Sequence, residues 1–139
     1  MKQIKFEAYD MKVDITLKDL ITILDDDTAT GKTYIYNIIK MYSDMNKESK
    51  ILCLNRAFKN MSEELLIQYI EQSKAEIVVI DNANSLINNK KVTDFICLDR
   101  ERYYLLIGRS LYVNTKVSEL AYPVINNNNI SIEYLVNGV

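Results

Sequence analysis

The sequence predicts one α/β domain over residues 1–139, with a mostly parallel sheet in three layers and an N-terminal hairpin at its edge. Three observations lead there. Short apolar runs such as Leu20-Ile21-Thr22-Ile23-Leu24 lack polar alternation, as strands covered on both faces do. Between such runs, apolar residues recur every three or four positions, the period of an amphipathic helix. Charged or polar residues, among them Asp25, Asp81 and Arg109-Ser110, stand just past the carboxyl ends of the runs.

Taken in order, Ile4, Phe6 and Ala8, then Val13, Ile15 and Leu17, alternate with polar residues on either side of Tyr9-Asp10-Met11-Lys12, which predicts a peripheral hairpin. Leu20 to Leu24 predicts a buried strand that stops at three aspartates. Ile35, Ile38, Ile39, Tyr42 and Met45 predict a helix from Thr33 to about Lys47 that packs on the sheet. A second buried strand is expected from Ile51 to Asn55. Ser62 can cap the helix after it, Glu63 and Glu64 suit its N-terminal dipole, and Leu65, Leu66, Tyr69 and Ile70 form its apolar face. Glu76 to Asp81 and Tyr103 to Gly108 predict two further buried strands. The last strand is expected from Ile130 to Val136, after a loop at Asn126-Asn127-Asn128-Asn129.

Composition narrows the chemistry. With 139 residues and 48% hydrophobic content, the chain can bury one core. A net charge of -2 gives no overall positive field, hence no clear nucleic-acid signal. No apolar run approaches the roughly 20 residues of a membrane span, so a soluble cytoplasmic protein is expected. Cys53 and Cys97 sit in apolar surroundings and read as reduced core residues. The absence of histidine excludes histidine catalysis and ordinary zinc sites.

The segment with most chemical content is Asp26-Asp27-Thr28-Ala29-Thr30-Gly31-Lys32-Thr33, between an expected strand and an expected helix. It resembles the Walker A loop of P-loop NTPases, G-x-x-x-x-G-K-[ST]. That resemblance implies that the backbone amides of Thr28, Ala29, Thr30, Gly31, Lys32 and Thr33 cradle phosphates of ATP or GTP. It further implies that Lys32 bridges the outer phosphates and that Thr33 Oγ1 ligates Mg2+. Asp26 replaces the first motif glycine, and Ala29 stands where many such loops carry another. A β-carbon at either place adds strain or obstruction, and Asp25, Asp26 and Asp27 add negative charge beside the phosphates. An ordinary strand-to-helix turn with capping aspartates is the alternative.

Four apolar residues ending in Asp81 resemble a Walker B strand, whose carboxylate holds magnesium. Asn82 follows, where many relatives of that kind carry a catalytic glutamate. Asparagine cannot accept a proton but can orient water, so slow or absent hydrolysis is implied. Arg109 or Ser110 could sense the terminal phosphate, although an arginine just past a strand more often faces solvent. Asp99-Arg100-Glu101-Arg102 alternates in sign like a solvated connecting surface, and the ten tyrosines read as core and boundary residues.

The expected function is therefore nucleotide binding by a P-loop protein, at most a weak NTPase, with Lys32, Thr33 and Asp81 holding phosphates and Mg2+, and with Asn82 and Arg109 as candidate catalytic residues. The alternative is a degenerate P-loop domain that has lost nucleotide and acts as a protein-interaction or inhibitor module, one that a mobile element could carry.

Overall fold

The structure, a computed structural model, describes residues 1–24, 33–86, 90–108 and 120–135, and the backbone of Lys32. Among the described residues eight strands form one sheet. In chain order these are β1 (Lys2–Ala8), β2 (Met11–Leu17), β3 (Ile21–Leu24), β4 (Ile51–Leu54), β5 (Ile77–Ile80), β6 (Tyr103–Ile107), β7 (Leu120–Asn126) and β8 (Asn129–Tyr134). Three α-helices are present among the described residues: α1 (Lys32–Met45), α2 (Glu63–Gln72) and α3 (Lys90–Leu98). The strands lie in the order β1-β2-β8-β7-β3-β6-β5-β4.

This arrangement corrects the expected mostly parallel, three-layer, P-loop NTPase-like sheet. One half is parallel, β3 with β6, β6 with β5 and β5 with β4. The other half is built on two antiparallel hairpins, β1-β2 and β7-β8. The reason is local, because a two-residue turn can only join antiparallel strands. Tyr9 and Asp10 both adopt positive φ, the geometry that matches the twist of a two-residue hairpin, and Asn127 does the same at the turn from Asn126 to Asn129.

Alternation along β1 and β2 buries Ile4, Phe6, Val13, Ile15 and Leu17 and leaves the residues between them wholly or partly exposed, so among the described residues this half of the sheet has one covered face. That face turns inward. The hairpin's apolar residues belong to the same cluster as Ile35, Ile38 and Ile39 of α1 and Val79, Leu105 and Ile107 of the parallel strands. The Phe6 ring stacks on Tyr42 of α1, centroids 4.0 Å apart and planes at 5°. Lys2 at the start of β1 reaches Glu76 just ahead of β5, at 2.7 Å, and the amino group of Met1 donates to the Tyr103 hydroxyl at 2.6 Å. The sheet is thus curled around α1, and the hairpin, at the edge of the sheet as expected, is also a wall of the core.

On the opposite face, α2 and α3 bury Leu66, Ile70, Val92 and Ile96 against Ile23, Val78, Ile80, Tyr104 and Leu106. Ser62 caps α2, its Oγ accepting from Leu65 N at 3.3 Å. The Tyr134 hydroxyl ties the two halves together: it donates to Thr16 O at 2.9 Å, accepts from Lys18 N at 3.0 Å and lies 3.0 Å from the buried Thr22 Oγ1.

The charged run before β6 is not the solvated surface expected of it. Asp99 accepts hydrogen bonds from the Tyr104 hydroxyl at 2.7 Å, Arg102 Nη1 at 2.9 Å and Glu101 N at 2.8 Å, and its side chain is only 4% exposed. Burial alone would raise its pKa, but these three donors outweigh burial and hold the carboxyl below the usual range.

Two tests follow from this packing. Phe6→Ala should cost roughly 3 kcal/mol in denaturant unfolding and should speed amide exchange in α1 as well as in the hairpin; loosening confined to the hairpin would mean that α1 is held without it. An unfolded aspartate titrates at about 3.9, so the contribution of Asp99 is complete above that pH and drains away as pH falls through its lower folded value. Tyr104→Phe, which removes one donor, should flatten the dependence of the denaturation midpoint on pH below about 4.

Candidate functional site

The parallel strands finish level with one another. Leu24 is paired with Ile107, Leu106 with Ile80, and Ile80 with Leu54. Just past these ends, Gly108 N donates to Leu24 O at 3.4 Å, and Asp81 N to Leu54 O at 2.8 Å. The register therefore sets Asp81, Gly108, Asn55 and the point where the chain leaves β3 along one edge of the sheet. Helix α1 begins eight positions beyond Leu24, at Lys32, with no acidic residue in its first turn to neutralise the N-terminal dipole.

Of the residues singled out from sequence, Thr28, Ala29, Thr30, Gly31 and Arg109 lie outside the described residues, as do Asp25, Asp26, Asp27 and Ser110. Lys32 is the first residue of α1, and the exposed Thr33 follows it. Asp81 is half-buried directly after β5. The Asp81 carboxylate is close enough to the Tyr36 hydroxyl of α1 to push its pKa upward.

Tyr36 is a feature that sequence reasoning missed, having grouped it with core and boundary tyrosines. It is 2% exposed, and its buried hydroxyl lies beside the Asn55 side chain, outside strict hydrogen-bond geometry. Burial pushes that hydroxyl well above the ordinary tyrosine range, and Cys53 and Asp81 push the same way. The Cys53 thiol, beside Ser43 Oγ at 3.7 Å, is itself pushed up to about 11 by burial, so it is a protonated, unreactive group at neutral pH. The signal that could have flagged Tyr36 is its place in the apolar row of α1, one position after Ile35 and three before Ile39.

Asn82 has a backbone reason for being asparagine. Its φ of 54° and ψ of 45° lie in the left-handed region, which asparagine tolerates better than most residues, and its side chain makes no capping bond to the short 3-10 turn Ala83–Ser85 that it opens. Gly108 is fixed by close approach. A β-carbon there would stand 2.9 Å from Asn84 Oδ1 and 3.1 Å from the backbone nitrogen of Ala83. Thus the turn after Asp81 packs directly on the end of β6.

Among the described residues there is no group of three or more cysteine and acidic side chains able to hold a metal ion unaided, and no helix is long and apolar enough to cross a membrane. No protein-family model, curated protein or solved structure matches the chain.

Two substitutions probe this edge. Gly108→Ala should destabilise the fold by about 1–3 kcal/mol in thermal or denaturant unfolding, because the contact is with backbone that has little room to yield. Asn82→Glu should cost about 1 kcal/mol through the left-handed backbone, and Asn82→Gly should leave stability near that of the parent. An unchanged midpoint for Asn82→Glu would show that the turn re-forms with a different backbone conformation.

Proposed function

We propose that the chain binds ATP or GTP with magnesium at the carboxyl ends of its parallel strands, with hydrolysis weak or absent. The observation that carries this reading is the register that sets Asp81, Gly108 and the exit from β3 on one edge, with α1 beginning eight positions after that exit. In this reading the backbone amides of residues 28–33 face the phosphates, Lys32 bridges the outer phosphates and Thr33 Oγ1 ligates magnesium.

Thr33 and Asp81 form an incomplete donor set by themselves. Such a set fits magnesium, which keeps several waters and takes other ligands from a nucleotide's phosphates rather than from an all-protein cage. Two features favour binding over turnover. Asn82, in the place of a carboxylate base, holds a left-handed turn and cannot accept a proton from water. The acidic run Asp25-Asp26-Asp27 repels phosphate unless magnesium intervenes, so affinity should depend steeply on the metal. Arg109 is the candidate for sensing a terminal phosphate. We place the protein in the cytoplasm, where nucleotide is abundant and both cysteines stay reduced.

Calorimetric titration with a non-hydrolysable ATP analogue, with and without magnesium, tests this reading. Binding heat should require magnesium, vanish in Lys32→Ala and fall at least tenfold in affinity in Asp81→Asn, the loss of one charge-assisted ligand being worth roughly 1.5–3 kcal/mol. A flat trace at millimolar ligand, with the protein folded, would retire nucleotide binding and leave the interaction-module reading.

A further inference from the structure

Away from the strand ends, a groove of about 300 Å³ runs the length of β4, between α1 on one side and α2 on the other. Its floor is the open edge of the sheet, since β5 is the only neighbour of β4 among the described residues. The carbonyls of Lys50 and Leu54 accept from the β5 side, Glu76 N and Asp81 N donating at 2.8 Å each. Successive residues of a strand point their amides and carbonyls to opposite sides, so those of Ile51 and Cys53 face the groove. Ile51 N has only a long contact of 3.4 Å with Ser49 Oγ.

The two walls differ in chemistry. On the α1 side stand Lys40, Lys47 and Lys50 against the single carboxylate Asp44, together with Tyr36, whose buried hydroxyl lies beside Asn55. Among the described residues Lys40 is paired with Asp44 and Lys50 with Glu76, which leaves Lys47 without an ion-pair partner. On the α2 side Phe58 and Tyr69 stack at 5.6 Å, and Tyr69 remains 41% exposed. The floor alternates in the same sense: Ile51 and Cys53 pack with the α1 cluster, Leu52 and Leu54 with the α2 cluster.

We propose that this edge takes an extended segment of a partner protein as a ninth strand, its side chains alternating acidic toward α1 and apolar toward α2. Backbone pairing with Ile51 and Cys53 supplies affinity, and the two unlike walls select the alternation. Four residues at about 3.3 Å each give a bed about 13 Å long, matched by four residues of an extended segment, so a hexapeptide overhangs it by one residue at each end. The proposal is independent of nucleotide binding, because the groove opens beside β4 and uses neither Lys32 nor Thr33.

The test uses a fluorescein-labelled hexapeptide alternating glutamate and valine, read by fluorescence polarisation and by amide chemical shifts. Saturable binding with shifts at the Ile51 and Cys53 amides is expected. The same peptide N-methylated along its backbone should bind at least tenfold more weakly, a lysine-valine peptide should not bind, and Lys47→Glu should weaken the glutamate-valine peptide roughly two- to fivefold, as for a solvent-exposed ion pair. Equal binding of the N-methylated peptide, or no binding of the parent peptide, would overturn the proposal. So would a Cys53 amide already protected from exchange in a dimeric, peptide-free protein, since a second copy of the chain would then cover the edge.

Discussion

Everything in this molecule depends on keeping one helix dry. Four residues of α1, Ile35, Tyr36, Ile38 and Ile39, are each 7% exposed or less, and they are covered from two directions by a single curled sheet. Complete burial of each aliphatic side chain is worth about 1.5–3 kcal/mol, so the helix is stable through what surrounds it rather than through its own sequence. That requirement explains the one-sided hairpin, the ring stack of Phe6 on Tyr42, and the link from Lys2 to Glu76 that draws the far edge back across the helix. A flat parallel sheet would leave one flank of α1 in water.

The individual elements were more legible in the sequence than their assembly. The strands at Ile51, Ile77 and Tyr103 and the cap at Ser62 follow from apolar runs and a side-chain acceptor, signals that lie within a few residues of one another. Strand β7 was not foreseen, because Pro123 interrupts its pattern; the proline is accommodated opposite Ile132 in a pair with β8. Helix α3 was also missed, its apolar stretch from Phe95 to Leu98 being short and rich in residues common to strands. The curl could not be read from a window of any length, since it depends on β1 meeting residues about a hundred positions away.

The candidate site was legible in part for the same reason. Asp81 at the end of β5 and the start of α1 near Lys32 are consequences of local pattern, and register then brings them to one edge. The charge of Asp99 was misjudged because an alternating run on paper cannot show that the Tyr104 hydroxyl folds back onto it. The Tyr36 side chain feels the Asp81 charge and also lines the groove along β4. A helix buried along one face thus bears on both surfaces through a single side chain.

The parallel contact of β2 with β8 joins Val13 to Ile130, and Tyr134 bonds back to Thr16, Lys18 and Thr22. During synthesis the first hairpin therefore emerges with its apolar face bare and waits for more than a hundred further residues before its partner strand exists. At about 5–20 residues per second that interval lasts many seconds, during which the hairpin has α1 and, as they emerge, the parallel strands of the same cluster for cover. The stacked pair of Phe6 and Tyr42, available early, gives the growing chain a provisional shelter that the last two strands later make permanent.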